Sequence, residues 1–173
     1  MNDNELKDFL LGSWLLRSYE LRNLADGGIR HPLGKYPLGQ ILYSHDGQMS
    51  VQMTDTRGVR ESASPLTEFP GVVGGYLAYA GMYEALPGSI VRHLPAVSNY
   101  ADWIGGDLSR RVLRTSDEEM ELVTVSPVQA DDAHYEGRIR WLRTTALTTL
   151  PALTTLPTPT ATASVLNEPL ERA

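Results

Sequence analysis

Three observations predict an all-β chain, an eight-stranded antiparallel up-and-down barrel with one short N-terminal helix. The segment Gly39 to Thr54 reads as two alternating strands joined by Asp46-Gly47, and Asp-Gly between alternating segments is a strong local hairpin signal. Eight strand-like segments, punctuated by Gly, Pro and Asp, follow one another between residues 13 and 144 with almost no helical pattern. The hairpin also spreads apolar and polar residues over both its faces, as expected of a closed barrel with a wettable interior.

Taken in order, Asp3 to Leu11 carries Leu6, Phe9 and Leu10 at helical spacing, with Asn or Asp available to cap its start and Gly12 to end it. Residues 13–22, SWLLRSYELR, alternate strictly in neither phase, yet their aromatic and branched side chains mark a first long strand. Trp14 and Leu16 fall on one phase, Arg17 and Tyr19 on the other. Pro32, Gly34, Pro37 and Gly39 make the following stretch a long loop. In the hairpin, a two-residue type I′ loop sets His45 opposite Gln48, Tyr43 opposite Ser50 and Leu42 opposite Val51. One face then holds Leu42, Ser44, Met49, Val51 and Met53, and the other Ile41, Tyr43, His45, Gln48, Ser50 and Gln52.

Residues 56–70 are polar and broken by Gly58, Pro65 and Pro70, with a short helix expected around 66–69. From Gly75 the chain reads as a strand with Tyr79 and Tyr83 on one face; residues 86–89 turn it and 90–99 return. Trp103 stands in a loop, and 107–126 form a second hairpin around the solvated run Asp117, Glu118 and Glu119. Asp131, Asp132 and His134 are expected in a loop before the last strand, 137–144.

With 173 residues the chain can bury roughly two thirds of its unfolded surface, enough for one domain over residues 1–143. After Arg143 the composition turns to Thr, Pro and Ala, with ALTTLP in tandem at 146–151 and 152–157, and a disordered tail is expected over 144–173. A net charge of −6 with no basic run argues against nucleic-acid binding. No stretch of about 18 apolar residues predicts a membrane span, and the acidic start MNDNELKDFLLGSW does not read as a signal peptide, so a soluble cytoplasmic protein is expected. The absence of cysteine excludes disulfides, thiolate nucleophiles and cysteine-held metals. The histidines at 31, 45, 93 and 134 show no metal-ligand spacing, VVGGY at 72–76 is too short for a phosphate loop, and no Gly-x-Ser-x-Gly elbow occurs. No cofactor and no metal are therefore expected.

Gly12-Ser13-Trp14 opening the first strand, the Tyr43 to Gln52 hairpin, Tyr79-Ala80-Gly81-Met82-Tyr83, His93, the Trp103 loop before Arg110-Arg111, and Trp141-Leu142-Arg143 occur in an order that resembles the lipocalin-like domain family, within the wider calycin group of ligand-binding barrels. The resemblance covers about residues 9 to 143. It implies that Trp14 lies across the barrel base beneath an arginine of the last strand, Arg143 or Arg140, in a cation–π contact worth about 0.5 to 2 kcal/mol. It also implies a pocket, and self-association through an outer sheet face as a route to a homodimer. The chain departs from secreted lipocalins in lacking cysteines, a signal peptide and their middle-loop motif, so transport of an extracellular ligand is not implied.

Tyr43, Gln52, Tyr79, Tyr83, His93, Asn99 and Trp103 come from neighbouring segments and can line one cavity, where they would hydrogen-bond carbonyl or enol oxygens and stack on an unsaturated skeleton. The plain alternative is a set of ordinary barrel tyrosines with surface hydroxyls. His93, whose ordinary pKa near 6.5 suits proton transfer, and Tyr79 are the candidate catalytic residues. Tyr43, Gln52, Tyr83, Asn99, Trp103 and Arg111 are the candidate substrate-binding set; Arg110 and Arg111 point to opposite faces, and an inward arginine can bind a carboxylate or polarise a carbonyl. An ion pair with Glu84 or Glu121 is the simpler fate for either. His45 is expected in solvent. The reading that follows is a cofactor-independent cyclase or isomerase acting on a polyketide-like or terpenoid-like molecule in natural-product biosynthesis. The alternative is a non-catalytic binder or carrier of a small hydrophobic ligand.

Overall fold

The structure, a computed structural model, describes residues 1–56 and 69–144; the helix expected at 66–69, apart from Phe69, and the Thr/Pro-rich segment from 145 onwards lie outside the described residues. Helix α1 (Asp3–Leu10) starts at Asn2, whose side chain accepts from the Glu5 N–H at 2.9 Å while the Glu5 carboxylate accepts from the Asn2 N–H at 2.9 Å. Its apolar stripe, Leu6, Phe9 and Leu10, is buried. Ten strands follow: β1 (Gly12–Asn23), β2 (Ile29–Arg30), β3 (Leu38–Tyr43), β4 (Gln48–Thr54), β5 (Tyr76–Leu86), β6 (Ile90–Ser98), β7 (Leu108–Arg114), β8 (Glu119–Thr124), β9 (Val128–Ala130) and β10 (Ala133–Arg143). All neighbours pair antiparallel in the order β1-β3-β4-β5-β6-β7-β8-β10, with β2 and β9 as short flanking pairs. Pairing of β10 back onto β1, from Trp14 with Arg143 to Asn23 with Tyr135, closes the eight long strands into the expected barrel and removes its open edges.

Alternation decides what enters the barrel. In β1 the register slips between Leu16 and Ser18, so one extra residue at Arg17 resets the phase and Trp14, Leu16, Tyr19 and Leu21 are all buried. This bulge explains why the segment alternates in neither phase, and it places Tyr19 inside with Trp14 rather than opposite it.

The first hairpin corrects the expected register by one residue. Tyr43 pairs with Met49, Leu42 with Ser50 and Ile41 with Val51. The Gly47 N–H bonds the Ser44 carbonyl at 3.2 Å and the Ser44 N–H bonds the Gln48 carbonyl at 2.9 Å, while Gly47 alone of the turn adopts positive φ, +83°. This is a three-residue loop, a type I turn closed by a left-handed glycine, not a type I′ pair. A slip of one exchanges the faces of a strand relative to its partner. Ile41, Tyr43, Met49, Val51 and Met53 therefore all point inward and are buried, whereas Leu42, Ser50 and Gln52 face out. The mixed-face argument for a wettable lumen fails with the register it assumed; the barrel rests on strand count and closure. At the other end of the chain β10 begins at Ala133, so His134, expected in a loop, pairs with Gln129 of β9.

The end of the barrel under α1 is sealed by a clamp. Trp14 is fully buried and donates from Nε1 to the Leu10 carbonyl at 2.8 Å, and the Arg143 guanidinium lies 4.0 Å from its ring centroid. Arg143 donates to the carbonyls of Phe9 (2.6 Å), Leu11 (2.8 Å) and Asp117 (3.0 Å), joining helix, first strand and the β7–β8 turn. Arg140 is exposed and faces Glu121 instead. Among the described residues no helix is long and apolar enough to cross a membrane.

Candidate functional site

From the α1 end the lumen fills with an aromatic column. Tyr83 meets Tyr43 edge to face with centroids 4.9 Å apart; Tyr43 is 5.6 Å from His93, His93 is 5.8 Å from Tyr79, and Tyr79 is 5.5 Å from Trp103. The residues come from β3, β5, β6 and the short 3₁₀ turn Ala101–Trp103, and the alternation of each strand turns them inward. At the centre, His93 is fully buried and shares hydrogen bonds of 2.8 Å with the Tyr43 hydroxyl at Nε2 and the Tyr79 hydroxyl at Nδ1.

A neutral imidazole donates from one ring nitrogen and accepts at the other, so one phenol donates to His93 and the other accepts from it. When Tyr43 is the donor, the Tyr79 hydroxyl is released to donate onward. Burial, helped by the nearby Arg110 charge, pushes the His93 pKa down to about 3. Burial likewise raises Tyr79 to about 12, against a smaller lowering by Arg110, and holds Tyr43 well above the ordinary phenol range. The triad is thus uncharged near neutral pH, and His93 is a weak base with no free nitrogen.

Beyond Tyr79 the barrel opens into a pocket of about 600 Å³ at the end away from α1. Met53, Leu77, Leu108, Ile139, Pro70 and Trp103 supply apolar walls; Tyr19, Tyr79, Arg110, Thr124 and Gln129 supply polar groups. Trp103 is held by a close approach: a Cβ on Gly71, which has φ +89°, would stand 1.9 Å from the indole Cη2. Only glycine lets the β4–β5 connection lie against that ring.

Of the residues proposed from sequence, Tyr79 and Trp103 line this pocket, and Tyr43 and His93 stand directly behind Tyr79. Tyr83 lies deeper, donating to the Ser44 carbonyl at 3.0 Å near the α1 end. Gln52 and Asn99 do not join them. Both border a shallow groove on the outer face of β4–β6, where Asn99 accepts from the Ala78 N–H at 2.8 Å and donates to the Tyr76 carbonyl at 2.9 Å. Asn99 thus ties the end of β6 to the edge of β5. Arg111 is exposed and Arg110 is the inward arginine, sharing the parity of buried Val112. The carboxylates weighed as partners for either arginine are engaged elsewhere, Glu84 with Arg92 and Glu121 with Arg138. His45 is exposed, as expected, and no group of residues able to hold a metal occurs among the described residues. Tyr19 was missed as a lumen residue because the bulge at Arg17 leaves no local mark. Arg110 was legible: Leu108, Arg110 and Val112 alternate with Ser109, Arg111 and Leu113.

Fold and site together define a small closed β-barrel, plugged by a helix at one end and hollow at the other. Residues 11–144 match the model of the lipocalin-like domain family, and the chain belongs to that family. Among solved structures it is similar to a designed protein whose title reads "De novo design of a fluorescence-activating beta barrel", at 14% identity over 83% of this chain and 100% of that one, with a TM-score of 0.40. No curated protein matches the chain.

Proposed function

We propose that this protein binds a small, largely apolar molecule in the mouth of the barrel and hydrogen-bonds an oxygen of that molecule through Tyr79. One observation carries the reading: a closed barrel of this family keeps about 600 Å³ open beside a buried tyrosine whose hydroxyl needs only His93 as a fixed partner. The volume suits a ligand of two or three fused rings or an equivalent folded chain. N-phenyl-1-naphthylamine, a neutral dye that brightens in apolar surroundings, should bind saturably at one site per chain. Leu108→Trp, which fills the pocket from its wall, should abolish the signal, whereas filling the outer groove with Ala80→Trp should not. Equal dye binding by the Leu108→Trp protein would overturn the proposal.

A second reading is favoured by the Tyr43–His93–Tyr79 chain: a cofactor-independent cyclase or isomerase for a polyketide-like or terpenoid-like substrate of natural-product biosynthesis. The pocket would hold the substrate folded for reaction, and Tyr79 would donate to a carbonyl oxygen on which negative charge develops. His93, buried behind Tyr79, would be a positioning residue that orients the hydroxyl rather than a base that touches substrate. Turnover of an enolisable polyketide-type substrate that Tyr79→Phe loses and His93→Gln weakens, with dye binding intact in both, supports catalysis. Saturable binding without turnover supports the carrier.

A further inference from the structure

Resting on the mouth-pocket reading above, we propose that the ligand carries an acidic oxygen group, a carboxylate or ionised enol, and that Arg110 is the residue that recognises it. Arg110 projects inward from β7 opposite Thr124 of β8 and lines the pocket, half-buried. A guanidinium offers five N–H donors. One is used, Nη1 to the carbonyl of Ser109 at 3.0 Å, and among the described residues Arg110 makes no other hydrogen bond and no ion pair. Among the described residues the acid that lines the mouth, Asp107, is engaged otherwise, accepting from the Ser109 hydroxyl at 2.7 Å and facing Arg92 at 3.8 Å.

A half-buried guanidinium that lines an apolar-walled pocket with no carboxylate partner among the described residues presents its remaining N–H donors to whatever enters, and an anion satisfies both its charge and those donors. Four titratable groups of the lumen agree with this placement: the charge of Arg110 bears on Tyr19, Tyr43, Tyr79 and His93, though not on Tyr83 at the α1 end. None of these becomes a counter-anion, because burial keeps the three phenols protonated. The apolar walls formed by Leu77, Leu108 and Ile139 then set the rest of the ligand as hydrocarbon. Arg110 and the Tyr79 hydroxyl can hold one acidic group between charge and hydrogen bond.

A matched pair of dyes isolates the charge. 8-Anilino-1-naphthalenesulfonate has the skeleton of N-phenyl-1-naphthylamine plus an anionic group, and both report binding by fluorescence. The native protein should bind the sulfonate at least about tenfold more tightly than the neutral dye, a difference of about 1.4 kcal/mol. Arg110→Gln should erase that preference, so that the two dyes bind within about twofold of each other, and Arg111→Gln, an exposed control, should leave the preference unchanged. Decanoate should displace the neutral dye from the native protein at least about tenfold better than 1-decanol, and should lose this advantage in Arg110→Gln. Neutral-dye binding with no anion preference, or a preference that survives Arg110→Gln, overturns this inference and leaves the pocket reading standing. Binding of neither dye overturns both.

Discussion

Lowering the pH tests the buried His93–tyrosine chain most directly. In the unfolded chain His93 titrates near its ordinary 6.5, whereas in the barrel its pKa falls to about 3 because the imidazolium would lose its hydration. A folded-state pKa depressed below the unfolded one means that the unfolded chain takes up the proton first. The stability is therefore fully present above pH 6.5 and lost as pH falls from 6.5 towards 3. The loss approaches about 1.4 kcal/mol per pH unit, so that pH 4.5 removes roughly 3 kcal/mol relative to pH 7.5 through this group alone. Surface carboxylates such as Asp46, held low by the Ser44 hydroxyl, act in the same direction, so the native protein alone does not isolate the histidine. His93→Gln retains a donor and an acceptor for the two phenols but cannot titrate. Urea unfolding of both proteins at pH 7.5, 5.5 and 4.5 should show the stability of the variant falling by roughly 3 kcal/mol less over that range. Parallel pH slopes, or an NMR titration of the His93 ring with a midpoint near 6.5, would refute the account of a neutral, desolvated histidine.

Three further outcomes follow from the geometry. Arg143→Met removes three charge-assisted contacts to carbonyls and the stack on Trp14, and should cost about 2–4 kcal/mol in urea unfolding, while Arg140→Met, at an exposed position, should change stability by less than about 0.5 kcal/mol. Gly71→Ala places a Cβ into the Trp103 ring at φ +89°; the indole must move, and near-ultraviolet circular dichroism should change together with a weakened N-phenyl-1-naphthylamine signal. Gly47→Ala should cost about 1 kcal/mol from positive φ alone, whereas Asp46→Ala, outside the left-handed region, should lose only the bonds its side chain makes to Ser44 and Gln48, measured by thermal unfolding.

Local signals carried the architecture. The apolar stripe of Leu6, Phe9 and Leu10, the turn residues and the run of alternating segments depend only on neighbours in sequence, and the helix and eight long strands stand where those signals fall. What misled was a choice between two loops compatible with the same dipeptide. Asp46-Gly47 suits both a two-residue type I′ turn and a three-residue turn closed by glycine, and the choice moves Gln52 from the lumen to the surface.

By itself the chain determined an all-β barrel capped by a helix and the shared face of Tyr79 and Tyr83, because period-two alternation and chain order suffice for those, while the pairing of Trp14 with Arg143 or Arg140 came from the resemblance to the lipocalin-like family. Tertiary structure alone decided which arginine reaches the indole, which residues surround His93 and where the hollow lies. Those outcomes depend on the bulge at Arg17, the hairpin register and the closure of β10 on β1, and each shifts whole strands by one residue without leaving a local trace.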